Sequence, residues 1–227
     1  MSKIAIISDI HSNLFYFEKV LEVIEKLNVD KIYCLGDLVG YYDKPNEVIE
    51  LVIKKNIISV VGNHEKYLLG KLNYNSKNES IYGIKNQKKI ITKKNLDFLK
   101  SLPEKIEFTN NLKKFYLTHS LPNDVSTYVY ELKNLDKNFI SQYDYYCFGH
   151  THIPVISYKY GTCVINPGSV GQPRDFTRTP SFVIVDLEND MLSLKKINVD
   201  FKKYSKNLIN NGYDYRLTNI LNRTKNG

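Results

Sequence analysis

Apolar positions in the first sixty residues alternate between short continuous runs and a helical periodicity. The runs 3–8, 31–36 and 57–62 predict buried strands. Between the first two runs, and again over 44–55, apolar residues recur at helical spacing, with Pro45 in the first turn of the second segment. This order of strand, helix, strand, helix, strand predicts a parallel sheet with crossover helices.

The pattern changes in the second half of the chain. Residues 64–101 carry helical periodicity, with Thr92 as a candidate N-cap. Seven short β-rich runs follow, separated by turn residues, and the segment DLEND between the last two predicts a hairpin. The tail from about residue 200 predicts basic helices. Because no linker or repeat divides the chain, we predict one domain over residues 1–227, with an α/β first half and a β-rich second half.

Composition and charge narrow the class of protein. An apolar content of 42% suits a globular core, and no run approaches the roughly 18 apolar residues that span a bilayer, so we expect no membrane association. Three cysteines lie scattered in apolar runs, which is typical of reduced core thiols and, together with an N-terminus that lacks a cleavage site, predicts a cytoplasmic protein. The net charge of +8 comes almost entirely from dispersed lysines, which disfavours a nucleic-acid partner.

Polar side chains interrupt the ends of predicted strands at five places. All five histidines of the protein fall in these places, although scattered structural histidines would have no reason to avoid the other segments. The stretches are SDIH (Asp9, His11), LGD (Asp37), GNHE (Asn63, His64, Glu65), LTHS (His119) and GHTH (His150, His152).

The residue types in these stretches indicate a metal centre. Carboxylate, imidazole and amide ligands without thiolates suit Mn²⁺, Fe or Zn²⁺. In D-x-H and H-x-H, alternate residues of an extended chain point the same way and can reach one ion. Seven such ligands are too many for one ion and suit two ions bridged by a carboxylate, a known arrangement for in-line displacement at phosphorus.

The ordered set D-x-H, G-D, G-N-H-E, a lone histidine and G-H-T-H resembles the calcineurin-like metallophosphoesterase superfamily over residues 3 to about 187. The resemblance implies a four-layer α/β/β/α sandwich of two mixed β-sheets flanked by helices. It also implies two divalent ions, with Mn²⁺ the first choice in vitro. Roles carry over position by position: Asp9, His11 and His152 resemble the ligands of the first metal, Asp37 the bridging carboxylate, Asn63, His119 and His150 the ligands of the second metal, and His64 the catalytic residue over the leaving group.

The implied chemistry is phosphoester hydrolysis. The two cations lower the pKa of a bridging water, hydroxide attacks phosphorus, and His64 as imidazolium protonates the departing alkoxide. For Glu65 we expect a role in shaping the turn or orienting a neighbour. The native metal, the physiological substrate and the oligomeric state stay open at this point.

The second motif separates branches of the superfamily. Protein Ser/Thr phosphatases have Asp and Arg where this chain has Gly40 and Tyr41, so the sequence is more similar to small prokaryotic phosphodiesterases, in which GDLVGY, GHTHIP and NPGSVGQPRD recur together. Tyr42 departs from the glycine common in that branch. We therefore predict cleavage of phosphodiester or phosphoanhydride bonds in small, nucleotide-like substrates. The alternatives are a phosphomonoesterase or protein phosphatase, a dinucleoside polyphosphate hydrolase, and a non-catalytic interaction scaffold, which the complete ligand set disfavours.

The irregular loop 165–178 follows a predicted strand. It is either a structural turn or part of the substrate pocket, with backbone N–H groups near Gly168 and Ser169 and the side chain of Arg174 facing the substrate. Arg174 suits that role because its planar guanidinium can grip two phosphate oxygens at once.

Overall fold

The structure is a computed structural model that describes residues 2–223. Within them it contains ten strands and nine α-helices. The strands are β1 (Lys3–Ile7), β2 (Lys31–Cys34), β3 (Ile58–Ser59), β4 (Lys105–Asn110), β5 (Lys113–Thr118), β6 (Tyr145–Cys147), β7 (Val155–Lys159), β8 (Thr162–Asn166), β9 (Ser181–Asp186) and β10 (Met191–Lys196). The helices are α1 (Leu14–Lys26), α2 (Pro45–Lys54), α3 (Asn63–Leu69), α4 (Glu79–Tyr82), α5 (Ile84–Ile90), α6 (Lys93–Ser101), α7 (Lys137–Ile140), α8 (Phe201–Asn210) and α9 (Tyr215–Asn222).

The strands form two five-stranded sheets with the orders β10-β9-β1-β2-β3 and β4-β5-β6-β8-β7. Each sheet has three parallel strands, β1-β2-β3 in one and β5-β6-β8 in the other, and antiparallel strands complete it. The predicted hairpin is the antiparallel pair β9–β10. Two mixed sheets flanked by helices confirm the predicted fold class.

The layers follow from the two-residue period of the strands. In β1, Ile4 and Ile6 pack between the two sheets, whereas Ala5 and Ile7 pack against the helices on the outer face. The second sheet repeats this arrangement: Phe115 of β5 faces the first sheet, and Tyr116 packs into a separate cluster on the opposite face. Because successive side chains of a strand point to opposite faces, each central strand contributes to two cores.

The predicted site residues follow the carboxyl ends of parallel strands. Asp9 comes just after β1, Asp37 after β2, His119 after β5 and His150 after β6. Parallel strands of one sheet end at the same edge, which is where open α/β sheets bind their ligands. The two sheets therefore bring their loops together at one end of the sandwich.

Strand β3 is shorter than the predicted 57–62, since only Ile58 and Ser59 pair with β2. The next residues leave the sheet: the amide of Val61 donates to the carbonyl of Pro103. GNHE, which the sequence places at the end of the third predicted strand, forms the start of helix α3, with Gly62 as the N-cap and Asn63 as the first helical residue. This early departure from the sheet places the first turn of α3 beside the ends of β1 and β2.

The tail from about residue 200 contains α8 and α9. Their apolar faces cover an aromatic cluster that includes Tyr16 and Tyr42, to which Tyr204 and Leu208 of α8 contribute. The three cysteines are buried as free thiols. Among the helices that the structure describes, none is both long enough and apolar enough to cross a membrane.

Candidate metal centre

The structure brings the seven predicted ligand residues together at one end of the sandwich. None of their side chains is more than 4% exposed. One ligand atom each from Asp9, His11 and His152 lies within 4.8 Å of the others, and the same holds for Asp37, His119 and His150. Asn63 joins the second group, with its Oδ1 2.9 Å from His119 Nε2.

Asp37 lies between the two groups. Its Oδ2 is 3.7 Å from His11 Nε2 on one side and 3.4 Å from His119 Nε2 on the other. This is the position that a bridging carboxylate must occupy. The geometry is therefore compatible with the bridging role that the family resemblance assigns to Asp37.

Backbone carbonyls select which nitrogen each of four histidines presents to the centre. One ring nitrogen of each lies within hydrogen-bond distance of a carbonyl and must carry the proton there, which leaves the other nitrogen free to bind a cation. The pairs are His11 Nδ1 with Val39 O at 3.0 Å, His119 Nδ1 with Leu35 O at 2.6 Å, His150 Nε2 with Ser126 O at 3.0 Å, and His152 Nδ1 with Gln172 O at 2.8 Å.

Atoms inside the centre lack the partners that buried polar groups require. Among the described residues, Asp9 Oδ1 has no hydrogen-bond partner. The Nε2 atoms of His11 and His152 face each other at 3.1 Å, although the backbone carbonyls hold the proton of both rings at Nδ1. Two lone pairs directed at one point repel unless a cation lies between them. The donor set therefore fits the two divalent ions that the sequence predicts.

The protonation states are those that metal binding needs. Burial would raise the pKa of Asp9 and Asp37, but the neighbouring histidines hold the pKa of both well below the usual range. Burial lowers the pKa of His150 to about 3, and it also lowers the pKa of His11 and His152. At neutral pH the site thus presents carboxylates and neutral imidazoles, the forms that bind metals.

His119 is the exception. Burial would lower its pKa, but Asp37 and Asp9 together raise the pKa of this imidazole to about 9. In the metal-free chain a proton on His119 therefore compensates the buried carboxylates. A cation bound beside Asp37 would take the place of that proton.

Backbone strain is concentrated at the predicted ligands. Five of the seven have a positive φ, which non-glycine residues adopt at an energetic cost. They are Asp9 (55°), His11 (51°), Asp37 (55°), His150 (65°) and His152 (59°). Such a concentration of strain is typical of functional sites, where the surrounding structure fixes the direction of each side chain.

Glu65 is fully buried and is bound entirely by backbone amides. Its Oε2 accepts hydrogen bonds from the N–H of Asp37 at 2.9 Å and of Gly62 at 2.8 Å. Its Oε1 accepts from Leu38 at 2.8 Å and from Val39 at 3.1 Å. Glu65 therefore ties the loop after β2 to the first turn of α3, in keeping with the orienting role expected for it.

His64 differs from the other four histidines. Its Nδ1 is buried without a hydrogen-bond partner in the described part of the chain, and its ring stacks on Tyr41 with centroids 4.9 Å apart. A Cβ atom on Gly40, where φ is +88°, would lie only 2.1 Å from His64 Nδ1. The imidazole thus rests directly on the backbone of Gly40, and the Asp found there in protein phosphatases has no room in this arrangement.

Arg174, the predicted substrate-binding residue, lies at the mouth of the centre, where its backbone N–H donates to the carbonyl of His152 at 3.2 Å. Its Nη2 donates to the hydroxyl of Tyr41 at 3.1 Å and to Oε1 of Gln172 at 2.8 Å. Among residues 2–223, no carboxylate forms an ion pair with it. Neutral acceptors therefore hold the guanidinium in place and leave its positive charge uncompensated.

Gly168 and Ser169 lie in the loop beneath Asp9. The amide of Gly168 donates to Asn166 Oδ1 at 2.9 Å, and Ser169 is fully buried, its hydroxyl donating to the carbonyl of Asp9 at 2.7 Å. The Gly168 amide and the Ser169 hydroxyl thus hold the loop beneath Asp9, which suits the alternative interpretation, a structural turn. A substrate-facing role for the backbone in this part of the loop stays a prediction.

The sequence did not reveal two kinds of site residue. Gln87 holds the turn that carries Tyr41, because its Oε1 accepts from the Gly40 amide at 2.7 Å and its Nε2 donates to the Tyr42 carbonyl at 2.8 Å. A single glutamine in a basic helix does not indicate this role.

Tyr128, which stacks on His150, belongs to the segment STYVY. The alternation of tyrosine and valine in that segment predicts an extended chain with both tyrosines on one side, which could have indicated an aromatic surface.

Comparisons with known proteins agree with the geometry. A model of the calcineurin-like phosphoesterase superfamily domain matches residues 2–190. The uncharacterized protein MJ0912 of Methanocaldococcus jannaschii is 37% identical over 227 residues, covering 92% of this chain and 93% of that protein. A solved metallophosphoesterase from Sphaerobacter thermophilus has a TM-score of 0.79 and 25% identity, covering 97% of this chain and 98% of its own. The hypothetical protein PH1004 from Pyrococcus horikoshii has the same fold, with a TM-score of 0.85 at 18% identity and coverage of 98% of both chains.

The contact between Gly40 and His64 generates a first prediction. Gly40→Ala should reduce hydrolysis of an alkyl phosphodiester about 10²-fold, because the new methyl group displaces the His64 imidazole and misplacement by about 1 Å has that effect. Gly161→Ala is the matched control: its φ is +84°, but nothing lies within 4 Å of the added methyl group. Both variants should lose about 1–2 kcal/mol of stability from the left-handed conformation. Equal activities in the two variants would contradict the prediction.

The amide partners of Glu65 generate a second prediction. Glu65→Gln turns an NH₂ group toward backbone N–H donors, so the loop that carries Asp37 should loosen and affinity for Mn²⁺ should fall about 10- to 100-fold. Glu104→Gln is the control, since Glu104 is exposed and Lys66 is its only ion-pair partner among residues 2–223. Calorimetric Mn²⁺ titration of the folded variants measures the effect. Unchanged affinity in a folded Glu65→Gln protein would show that the tie does not position Asp37.

Proposed function

The chain belongs to the calcineurin-like phosphoesterase superfamily, and from that premise we propose that it is a two-metal hydrolase of phosphodiester or phosphoanhydride bonds in small, nucleotide-like substrates. The observation that carries the proposal is the buried convergence of seven carboxylate, imidazole and amide ligands on either side of Asp37. We propose Asp9, His11 and His152 for one ion, and Asn63, His119 and His150 for the other. Mn²⁺ is the proposed ion in vitro, and the proposed location is the cytoplasm.

When bound, the two cations would supply Lewis acidity and would lower the pKa of a bound water molecule toward neutrality. The remaining steps fall to side chains of this chain. Arg174 supplies a fixed positive charge at the mouth for a non-bridging phosphate oxygen. The rings of Tyr41 and His64 close one side of the site and exclude water from it.

His64 is the proposed general acid. Burial lowers the pKa of its imidazole to about 4, so in the metal-free chain the ring is neutral at pH 7, in contrast to the imidazolium that the sequence suggested. An anionic phosphate beside the ring favours its protonated form. Under this proposal, His64 acquires its proton when the substrate binds and then donates it to the leaving oxygen.

The preference for diesters over monoesters rests on the second motif. Gly40 and Tyr41 occupy the positions of the Asp and Arg of protein phosphatases, and here the only guanidinium described at the mouth is that of Arg174, which comes from the loop after β8. A monoester dianion therefore lacks the arginine that the second motif supplies in those enzymes. A diester or a phosphoanhydride carries less charge on the reacting phosphate and therefore needs fewer cationic groups to bind it.

A substrate comparison tests the proposal. With Mn²⁺ bound, kcat/KM for an aryl phosphodiester should exceed that for the matched aryl monoester. Arg174→Ala should raise KM for the diester more than it lowers kcat, as expected for a contact made in both ground and transition states. Arg178→Ala is the control, because Arg178 belongs to the same loop but lies over the ring of Phe201 at 4.6 Å.

Two results would overturn this assignment. A wild-type preference of about ten-fold or more for phosphoserine or phosphotyrosine peptides, roughly 1.4 kcal/mol at the transition state, would make the protein a phosphatase. Hydrolysis of none of these esters by metal-loaded protein would favour the interaction scaffold. A dinucleoside polyphosphate assayed alongside separates the anhydride from the diester.

The proposed role of His64 gives a prediction of its own. His64→Ala should keep its metal content and lose about 10²–10⁴-fold in activity toward an alkyl ester, the usual contribution of general acid catalysis. The loss should be much smaller for a nitrophenyl ester, since nitrophenolate hardly needs a proton to leave. Elemental analysis establishes the metal content, and equal losses for both leaving groups would reject the acid role.

A further inference from the structure

Two exposed tyrosines, Tyr128 and Tyr130, form a stack of aromatic rings that extends from the metal centre toward solvent. The ring of Tyr128 stacks on His150 with centroids 4.1 Å apart, and the ring of Tyr130 is parallel to that of Tyr128, with centroids 5.6 Å apart and planes within 4°. Tyr128 is 41% exposed and Tyr130 is 62% exposed, whereas Val129 between them is buried in the core. Both aromatic rings therefore stand on the solvent side of one extended segment.

This segment is held in a fixed position. Asp124 accepts a hydrogen bond from the Ser126 amide at 2.7 Å, and the Thr127 hydroxyl donates to its other oxygen at 2.5 Å. The carbonyl of Ser126 accepts the ring proton of His150, so the same loop also orients a predicted metal ligand. A planar group that stacks here meets rings that are already ordered, which reduces the entropic cost of binding.

One member of the pair, Tyr128, also lies near the guanidinium of Arg174 at the mouth. Burial would lower the pKa of Arg174, but the neighbouring hydroxyls of Tyr41 and Tyr128 raise it. Tyr128 thus contacts His150, a predicted metal ligand, and lies near Arg174, the predicted phosphate-binding residue. These rings therefore offer a stacking surface next to the position of a phosphate at the metal centre.

We propose that Tyr128 and Tyr130 form a stacking subsite for the nucleobase of the substrate. The inference rests on the proposed function and narrows its substrate class to nucleotides. Aromatic faces stack on any base, so the subsite favours nucleotides over sugar phosphates without choosing strongly among bases. The other exposed tyrosines of the described chain, such as Tyr158 on β7, have no such continuity with the metal centre.

Calorimetric binding of two ligands to the intact, Mn²⁺-loaded protein tests the subsite. Adenosine 5′-monophosphate and ribose 5-phosphate share phosphate and sugar and differ in the base. Wild type should bind the nucleotide about 5- to 150-fold more tightly, the usual range for one stacked base. Tyr130→Ala should bring that ratio close to one, and Tyr130→Phe should keep it because the ring remains. Tyr158→Ala, which alters a 73% exposed ring elsewhere, should also keep it.

The outcomes separate this inference from the proposed function. A wild-type ratio near one, or a ratio that survives Tyr130→Ala, overturns the subsite whatever the protein hydrolyses. A ratio that depends on Tyr130 supports the subsite even where the metal-loaded protein cleaves no diester, in which case only the proposed function fails. Hydrolysis of the nucleotide during the titration appears as continuing heat and would identify a phosphomonoesterase.

Discussion

The carboxylate of Glu65 is the constraint on which the centre depends. Its two oxygens accept four backbone N–H groups, three from Asp37 to Val39 and one from Gly62. This one side chain thus fixes the strained turn that carries Asp37 and the start of the helix that carries Asn63 and His64. Burial and the nearby charge of Asp37 raise the pKa of Glu65 to about 7, even though the amide donors act in the opposite direction. Because all four partners are donors, the ionised form satisfies every one of them.

The charge balance of the centre follows from that arrangement. Three carboxylates, those of Asp9, Asp37 and Glu65, are buried within a few residues of the strand ends, at a desolvation cost that requires compensation. In the metal-free chain the compensation is a proton on His119 and the dipoles of backbone amides. Cations beside Asp9 and Asp37 would compensate the charge more completely, so we expect metal binding and folding stability to be coupled.

Much of the fold and the ligand set could be predicted from the sequence, because both depend on local patterns. Continuous apolar runs such as KIAII mark buried strands, and D-x-H or H-x-H at a strand end marks candidate ligands. The spacing suggested an extended backbone there, but these aspartate and histidine residues reach the centre through left-handed backbone conformations. The roles of Gly168 and Ser169 could not be predicted, since the sequence does not show whether an N–H group faces a pocket or a neighbouring Asn side chain. Gln87 escaped notice for the same reason: its bonds to Gly40 and Tyr42 join segments more than forty residues apart.

The chemistry and the specificity of the site come from different parts of the chain. The ligands and His64 lie within residues 2–190, which the family model covers, and backbone hydrogen bonds hold them. The wall beside His64 depends in part on later residues: Tyr42, next to Tyr41, packs on Tyr204 of α8 with ring centroids 5.8 Å apart. Changes in α8 or α9 can therefore alter the position of Tyr41 without touching a metal ligand. In this architecture backbone hydrogen bonds at the buried strand ends position the candidate ligands, while the wall beside His64 depends on aromatic packing against α8.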